Sequence, residues 1–130
     1  MHSICMVQEH TTDKGRRYEA LAERVLARRG YSFVARNVRY GGVEIDRVAW
    51  HRDVLCFIEV RARHSAAFCH PVETVDHRKR RRLVRGAHAY LHRHFDGPMP
   101  MVRFDVVTVV FGPSLPEVRV YEAAFDGSDW

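Results

Sequence analysis

The sequence lacks the features that define several protein classes. Its three cysteines, Cys5, Cys56 and Cys69, are an odd and scattered set, which argues against a disulfide framework and favours reduced thiols. No apolar run approaches the roughly 18 residues that a membrane span needs. The N-terminus has no apolar segment of a secretory signal. We therefore expect a cytoplasmic protein that makes no membrane contact.

Nucleotide-binding and zinc motifs are missing as well. Gly41 and Gly42 do not have the spacing of a dinucleotide-binding loop or a P-loop, so they predict only a turn. His64, Cys69 and His70 lie close together in the sequence, but their spacing matches no established zinc pattern.

Length and charge set the remaining limits. A chain of 130 residues is long enough for one domain with a hydrophobic core. We place that domain at residues 13–122, with tails at residues 1–12 and 123–130. The formal charge of +5, with nine histidines in addition, favours a polyanionic partner such as nucleic acid.

Hydrophobic spacing predicts an α/β fold. Apolar residues recur at helical intervals over residues 13–30 and 76–95, and Asp76 is a suitable N-cap for the second helix. Alternating or continuous apolar runs predict strands at residues 31–38, 43–51, 54–63, 102–111 and 117–121. The order helix, three strands, helix, strand predicts a mixed central sheet flanked by helices.

A β-hairpin at residues 43–63 carries the acidic residues Glu44, Asp46 and Glu59 within its apolar strands. If Arg52 and Asp53 form a two-residue loop, Asp46 faces Glu59 across the strands. Like charges at that separation destabilise a sheet, and a divalent cation such as Mg²⁺ would compensate them. By the same pairing Glu44 faces Arg61.

An odd loop length would instead place Asp46 and Glu59 on opposite faces of the sheet. The alternative interpretation is that both residues are solvated ends of edge strands. For Glu19, in the first turns of the first helix, the local pattern favours a surface residue that suits the positive helix end.

Five consecutive cations, Arg78, Lys79, Arg80, Arg81 and Arg82, begin the second helix. They repel one another, and their position at the positive end of the helix adds to the cost. A phosphate backbone would relieve both effects, so we expect this segment to bind nucleic acid. A solvated helix face is the alternative.

These patterns together resemble a known family, the YraN proteins, and through it the restriction-endonuclease-like PD-(D/E)XK superfamily, including archaeal Holliday-junction resolvases. The resemblance spans about residues 15–111. It is carried by GRRYEALAERVLARRGY, RNVRYGGVEID, VLCFIEVRAR, F-x-x-P at residues 68–71, VDHRKRRRL and VRFDVV.

The resemblance implies a restriction-endonuclease-like core and a role for each acidic residue. Asp46 stands at the motif aspartate and Glu59 at the glutamate of the E-x-K element. Glu19 corresponds to the helical glutamate that resolvase-like members add to the metal site, and Glu44 belongs to the E-I-D sequence. The implied cofactor is Mg²⁺ or Mn²⁺, held by Glu19, Asp46 and Glu59.

Arg61 departs from the superfamily, which usually has Lys at this position. Because Arg stays protonated, Arg61 could stabilise a phosphoryl charge but could not act as a base. Lys79, reaching in from the helix, is a possible replacement for the missing lysine.

The implied activity is metal-assisted hydrolysis of a phosphodiester by a structure-selective endonuclease acting on branched or nicked DNA, with Asp46, Glu59, Arg61 and Glu44 at the catalytic site. A catalytically inactive DNA-binding or adaptor module on the same fold is the main alternative. A protein-interaction subunit that forms a homodimer is a third.

Overall fold

Helices cover both faces of a mixed β-sheet in the computed structural model, which describes residues 7–8, 13–64, 75–114 and 116–127. The elements in chain order are β1 Val7–Gln8, α1 Asp13–Arg28, β2 Tyr31–Tyr40, β3 Val43–His51, β4 Val54–His64, α2 His77–His94, β5 Met101–Phe111 and β6 Glu117–Phe125. The sheet order is β2-β3-β4-β5-β6, and β1 pairs with β4 beside this path. The predicted α/β class is confirmed, and the architecture is consistent with a restriction-endonuclease-like core.

Two tight hairpins and one crossover generate this order. Gly41 and Gly42 join β2 to β3 with φ of 60° and 74°, the left-handed backbone that a two-residue hairpin turn requires. Arg52, with φ of 58°, and Asp53 join β3 to β4. The connection through α2 makes β4 and β5 parallel.

The predicted two-residue loop and its register are confirmed between β3 and β4. His51 pairs with Val54 and Trp50 with Leu55, and the ladder continues to Arg47 and Ile58. It stops there, one pair before Asp46 and Glu59. The expected pair of Glu44 and Arg61 is therefore outside the ladder, and Glu44 is exposed and lies opposite Arg39 of β2.

β4 is the central strand, as its nearly continuous apolar sequence predicts. On one face Cys56, Ile58 and Val60 pack against Ala22 and Leu26 of α1. On the other face, Leu55 and Phe57 belong to the cluster that includes Val84, Ala87 and Tyr90 of α2. The sheet is thus buried on both sides.

A local cap fixes the start of α2. The Asp76 carboxylate accepts a hydrogen bond of 2.9 Å from Lys79 N, which confirms the predicted N-cap. Gly86 lets the helix approach the β2–β3 hairpin, since a Cβ at this position would lie 3.1 Å from Val43 Cβ.

No helix in the described ranges is long and apolar enough to cross a membrane.

The strands extend beyond three of the predicted limits. β2 continues to Tyr40 because the glycine turn lets Tyr40 pair with Val43. β6 continues to Phe125, which stacks on Phe104 at 5.0 Å between ring centroids, so the sheet includes three residues that we assigned to the C-terminal tail. β1 lies within the predicted N-terminal tail. The F-x-x-P motif at residues 68–71 is outside the described residues.

A buried polar cluster joins β2, β5 and β6. Asp105, 1% exposed, accepts hydrogen bonds from Tyr31 Oη at 2.8 Å, from Arg103 Nε at 2.8 Å and from the Ala123 amide at 2.9 Å. Arg103 also contacts His51 Nδ1 at 2.8 Å. Sequence patterns gave no indication of this cluster, because its members are far apart in the chain.

Removal of the Asp105 carboxylate should loosen β6. Asp105→Ala leaves the Arg103 guanidinium and the Tyr31 hydroxyl without their buried acceptor, so we expect a loss of about 3–5 kcal/mol in the free energy of unfolding. Hydrogen exchange at the Ala123 amide should accelerate in parallel.

Urea unfolding and hydrogen exchange measure the two effects. Glu122→Ala is the matched control, since Glu122 is half-exposed and lies 3.6 Å from the same guanidinium. Equal losses in the two variants would contradict a special role for Asp105.

Candidate active site

The candidate site lies where β3 and β4 separate. The Asp46 side chain turns into this fork, and its Oδ2 accepts a hydrogen bond of 2.9 Å from the Val60 amide. A carboxylate thereby satisfies a backbone donor at the point where the ladder between the two strands has ended. Farther along β4, β1 pairs with Ala62 and Arg63.

Asn37 marks the corresponding irregularity in β2. It has φ of 50°, in the left-handed region that Asn tolerates better than most residues, and it interrupts the ladder between the pairs Arg36–Arg47 and Val38–Ile45. A regular strand cannot contain such a residue. Asn37 therefore bends the edge of the sheet beside Asp46.

Three acidic side chains predicted for the site are buried. Glu19 is 1% exposed, Asp46 is 5% exposed and Glu59 is 3% exposed. The interpretation of Asp46 and Glu59 as solvated strand ends is wrong, and so is that of Glu19 as a surface residue. The structure brings these carboxylates together with the ends of Arg61 and Lys79, whereas Glu44 is exposed.

Glu19 is held by a network that the sequence analysis missed. The buried guanidinium of Arg47 donates through Nη1 to Glu19 Oε1 at 2.9 Å, to Asn37 Oδ1 at 3.1 Å and to the Asp46 carbonyl at 2.7 Å. Asn37 Nδ2 also donates to Glu19 Oε1 at 2.8 Å. Arg47 Nε donates to Glu23 at 2.8 Å. The available signal was an arginine directly after Asp46 in a strand whose remaining centre is apolar.

Glu59 is flanked by two cations from different elements. Arg61 Nε, on the same strand, lies 3.2 Å from Glu59 Oε2, and Lys79 Nζ reaches in from α2 to 3.8 Å from the same oxygen. The other oxygen, Oε1, is buried and has no hydrogen-bond partner among the described residues. Glu59 thus combines partial charge compensation with one buried acceptor that the protein leaves available.

The pKa of Asp46 reflects its burial and the charges around it. Burial, followed by the negative charges of Glu59 and Glu19, raises the pKa of Asp46 well above its usual range, against the opposing effects of the Val60 hydrogen bond and the Lys79 charge. Two carboxylates repel each other inside the protein, and a divalent cation would relieve that repulsion.

The donors at the fork fit a hard divalent cation. Mg²⁺ commonly takes one or two carboxylates and completes its shell with water and substrate phosphate. Asp46 and Glu59 supply two such groups, and Glu59 Oε1 has no competing hydrogen bond in the described part of the chain. Within those same residues, no set of three or more His, Cys, Asp or Glu side chains is arranged around a common metal position.

Helical geometry divides the basic run at the start of α2. Lys79 points to Glu59, while the exposed arginines line a polar groove of about 570 Å³ outside the site. The groove residues are Asp76, His77, Arg78, Arg81, Arg82 and Arg85. The predicted cations are therefore divided between the site and the groove, and Arg80 is half-buried and does not line the groove.

Arg47 should be the most sensitive residue of the network for stability. Arg47→Met leaves the buried Glu19 carboxylate without its cation, so we expect a loss of about 3–5 kcal/mol in the free energy of unfolding. Urea unfolding at neutral pH measures the effect.

Arg36→Met is the matched control. Arg36 binds Glu23, a carboxylate that Arg47 also binds, but its side chain is 53% exposed, so the loss should stay below about 1 kcal/mol. Similar losses in both variants would show that burial of the Arg47–Glu19 pair is unimportant.

Asp46→Asn should stabilise the protein at neutral pH. Because the folded state raises the pKa of Asp46, it binds the proton more tightly than the unfolded chain does. The favourable contribution is complete below the ordinary aspartate pKa of about 3.9 and is lost as pH rises through the folded value. Asn removes the charge and keeps an acceptor for Val60, so we expect a gain on the order of 1 kcal/mol, or about 4 °C in Tm.

Thermal unfolding between pH 4 and pH 8, with no divalent ion present, measures this gain. It should grow with pH, whereas Asp53→Asn in the exposed hairpin loop should change little. A stability loss in Asp46→Asn that is constant with pH would contradict the electrostatic explanation.

Comparisons with known proteins agree with this arrangement of motifs. A family model described as "Uncharacterised protein family UPF0102" matches residues 18–109. A UPF0102 protein of Anaeromyxobacter dehalogenans is 45% identical over 113 residues, which cover 87% of this chain and 84% of the relative. A UPF0102 protein of Marinobacter nauticus is 39% identical over 110 residues, covering 84% and 88%. The chain therefore belongs to the UPF0102, or YraN, family, as its sequence motifs predicted.

Proposed function

We propose that this protein is a metal-dependent endonuclease that hydrolyses phosphodiesters in branched or nicked DNA. The observation that carries the proposal is the burial of Asp46 and Glu59 together at the fork between β3 and β4, with two cations beside Glu59. Several buried charged groups placed this close together destabilise a fold. Such clusters are typical of active sites. The preference for branched or nicked DNA follows from the resemblance to Holliday-junction resolvases.

Asp46 and Glu59 would hold Mg²⁺ or Mn²⁺. Such an ion polarises a phosphate and lowers the pKa of a bound water. Glu19 would contribute to the ion through its second oxygen, because Arg47 and Asn37 occupy its Oε1. Its negative charge adds to the attraction of the fork for a cation.

Arg61 and Lys79 divide the task that one lysine usually performs in this superfamily. Arg61 remains charged and stabilises negative charge that develops on the phosphoryl group. Lys79 Nζ lies 3.8 Å from Glu59 Oε2 and places a second positive charge beside the same carboxylate. The position of Lys79 near Glu59 supports its role as the replacement for the missing lysine. Glu44 is exposed near this site and is not assigned a step.

The basic groove on α2 would grip the DNA backbone. Contacts between arginines and phosphates fix orientation without reading sequence, which suits an enzyme that selects DNA by structure. Because the groove and Lys79 share the first two turns of α2, backbone binding and the candidate catalytic residues are coupled through one rigid element.

A DNA-binding or adaptor module without catalysis is the second candidate. It is favoured by the charge compensation in the protein itself: Arg47 neutralises Glu19, while Arg61 and Lys79 neutralise Glu59. In this case the carboxylates would only shape the fork.

Cleavage of labelled branched, nicked, single-stranded and duplex DNA in Mg²⁺ or Mn²⁺ separates the two candidates. We expect wild type to cut, and Asp46→Asn and Glu59→Gln to lose at least about 100-fold in rate, since each removes a group that would hold the ion. Asp53→Asn is the matched control in the same hairpin. Lys79→Met should reduce the maximal rate, whereas Arg78→Met, one residue away in the groove, should weaken substrate binding.

Binding without cleavage by wild type, with equal binding by both carboxylate variants, would overturn the nuclease proposal in favour of the binding module. A thermal shift by Mg²⁺ in wild type that is absent in Glu59→Gln would support metal binding independently of activity.

A further inference from the structure

An apolar cavity of about 390 Å³ opens beside the second half of α2, away from the carboxylates. Its wall includes Ala87, Leu91, Met99 and Phe104, and the histidines His88 and His92 also line it. Met99 is 51% exposed, which is unusual for a large apolar side chain beside a cavity. The volume falls within the range of roughly 300–1,000 Å³ that is typical of small-ligand pockets.

A line of arginines and histidines connects this cavity to the basic groove. Arg78, Arg81, Arg85, His88 and His92 follow one another at intervals of three or four residues, so they lie along one side of α2. The first three line the groove and the last two line the cavity. At 1.5 Å per residue, the line is about 21 Å long.

Charge in the groove is strongly one-sided. Asp76 is its single carboxylate, and that side chain already accepts a hydrogen bond from the Lys79 amide as the helix cap. Four arginines, Arg78, Arg81, Arg82 and Arg85, remain to face the ligand. Arginines that lead to an apolar cavity match a strand with regularly spaced phosphates and bases whose flat faces pack on apolar side chains.

We propose that this surface binds single-stranded nucleic acid, with its phosphates along the α2 arginines and one unstacked base in the cavity against Leu91 and Met99. A duplex keeps its bases stacked, whereas a branch point offers bases that are more easily unpaired to such a pocket. Base insertion of this kind gives affinity without a sequence requirement, because every base has an aromatic face. The inference rests on the proposed function for its nucleic-acid partner and assigns the cavity a role in selecting unpaired strands.

Binding of two oligonucleotides tests the inference. One is an oligothymidylate of about twelve nucleotides, which is longer than the line of arginines and histidines, and the other is an abasic oligomer with the same number of phosphates. We expect the abasic oligomer to bind about tenfold more weakly at each salt concentration, with an equal slope of log Kd against log salt. Measurements in EDTA exclude cleavage.

Protein variants separate the cavity from the cations. Ala87→Met fills the cavity and should weaken oligothymidylate binding about tenfold while leaving the abasic oligomer unaffected. Arg81→Ala should weaken both oligomers. Ala27→Met and Arg28→Ala, at exposed positions on α1, are the controls for size and charge. If Ala87→Met does not fold, Met99→Ala at the exposed edge of the cavity makes the same distinction.

Equal affinity for the two oligomers would overturn the inference, and so would the absence of binding to either at low salt. Cleavage of branched DNA together with equal affinities would leave the nuclease proposal standing and remove only the base pocket. Base-dependent binding without cleavage would support the base pocket and contradict the nuclease proposal.

Discussion

Burial of like charges at one point of the sheet is the constraint on which the remaining structure depends. Each carboxylate at the fork receives a different compensation: Arg47 for Glu19, a backbone amide for Asp46, and Lys79 with Arg61 for Glu59. These partners come from both strands of the hairpin and from α2, and Glu19 itself belongs to α1. A buried carboxylate is destabilising without its partner. The site therefore forms only together with the packing of both helices onto the sheet.

The contrast with the Asp105 cluster separates a structural polar group from a functional candidate. Both oxygens of Asp105 accept hydrogen bonds from Arg103, and Tyr31 and Ala123 complete the shell, so no further ligand is required. Burial and the Asp105 charge raise the pKa of nearby Cys56 to about 12, which keeps that thiol protonated and inert. At the fork, by comparison, Glu59 keeps a buried oxygen without a hydrogen-bond partner among the described residues.

Local patterns in the sequence predicted the helices, the two-residue loop after His51 and the positions of the acidic residues, because each depends on neighbours in the chain. The Arg47 network and the reach of Lys79 to Glu59 depend on tertiary packing. Helical periodicity does separate Lys79 from Arg78 and Arg81, so the division of the basic run was accessible in principle. The left-handed conformation of Asn37 was not, since Asn occurs in regular strands and in turns alike.

β2 is an edge strand of the sheet, and the irregularities in its backbone affect association between molecules. A regular edge strand presents unpaired amide and carbonyl groups, which can pair with a strand of another molecule. In β2 the bulge at Val34 and the left-handed Asn37 break that row of groups at two places, three residues apart. The irregular backbone beside the acidic fork thus also makes this edge a poor template for aggregation, and Ala123, with φ of 52°, interrupts the opposite edge strand, β6, in the same way.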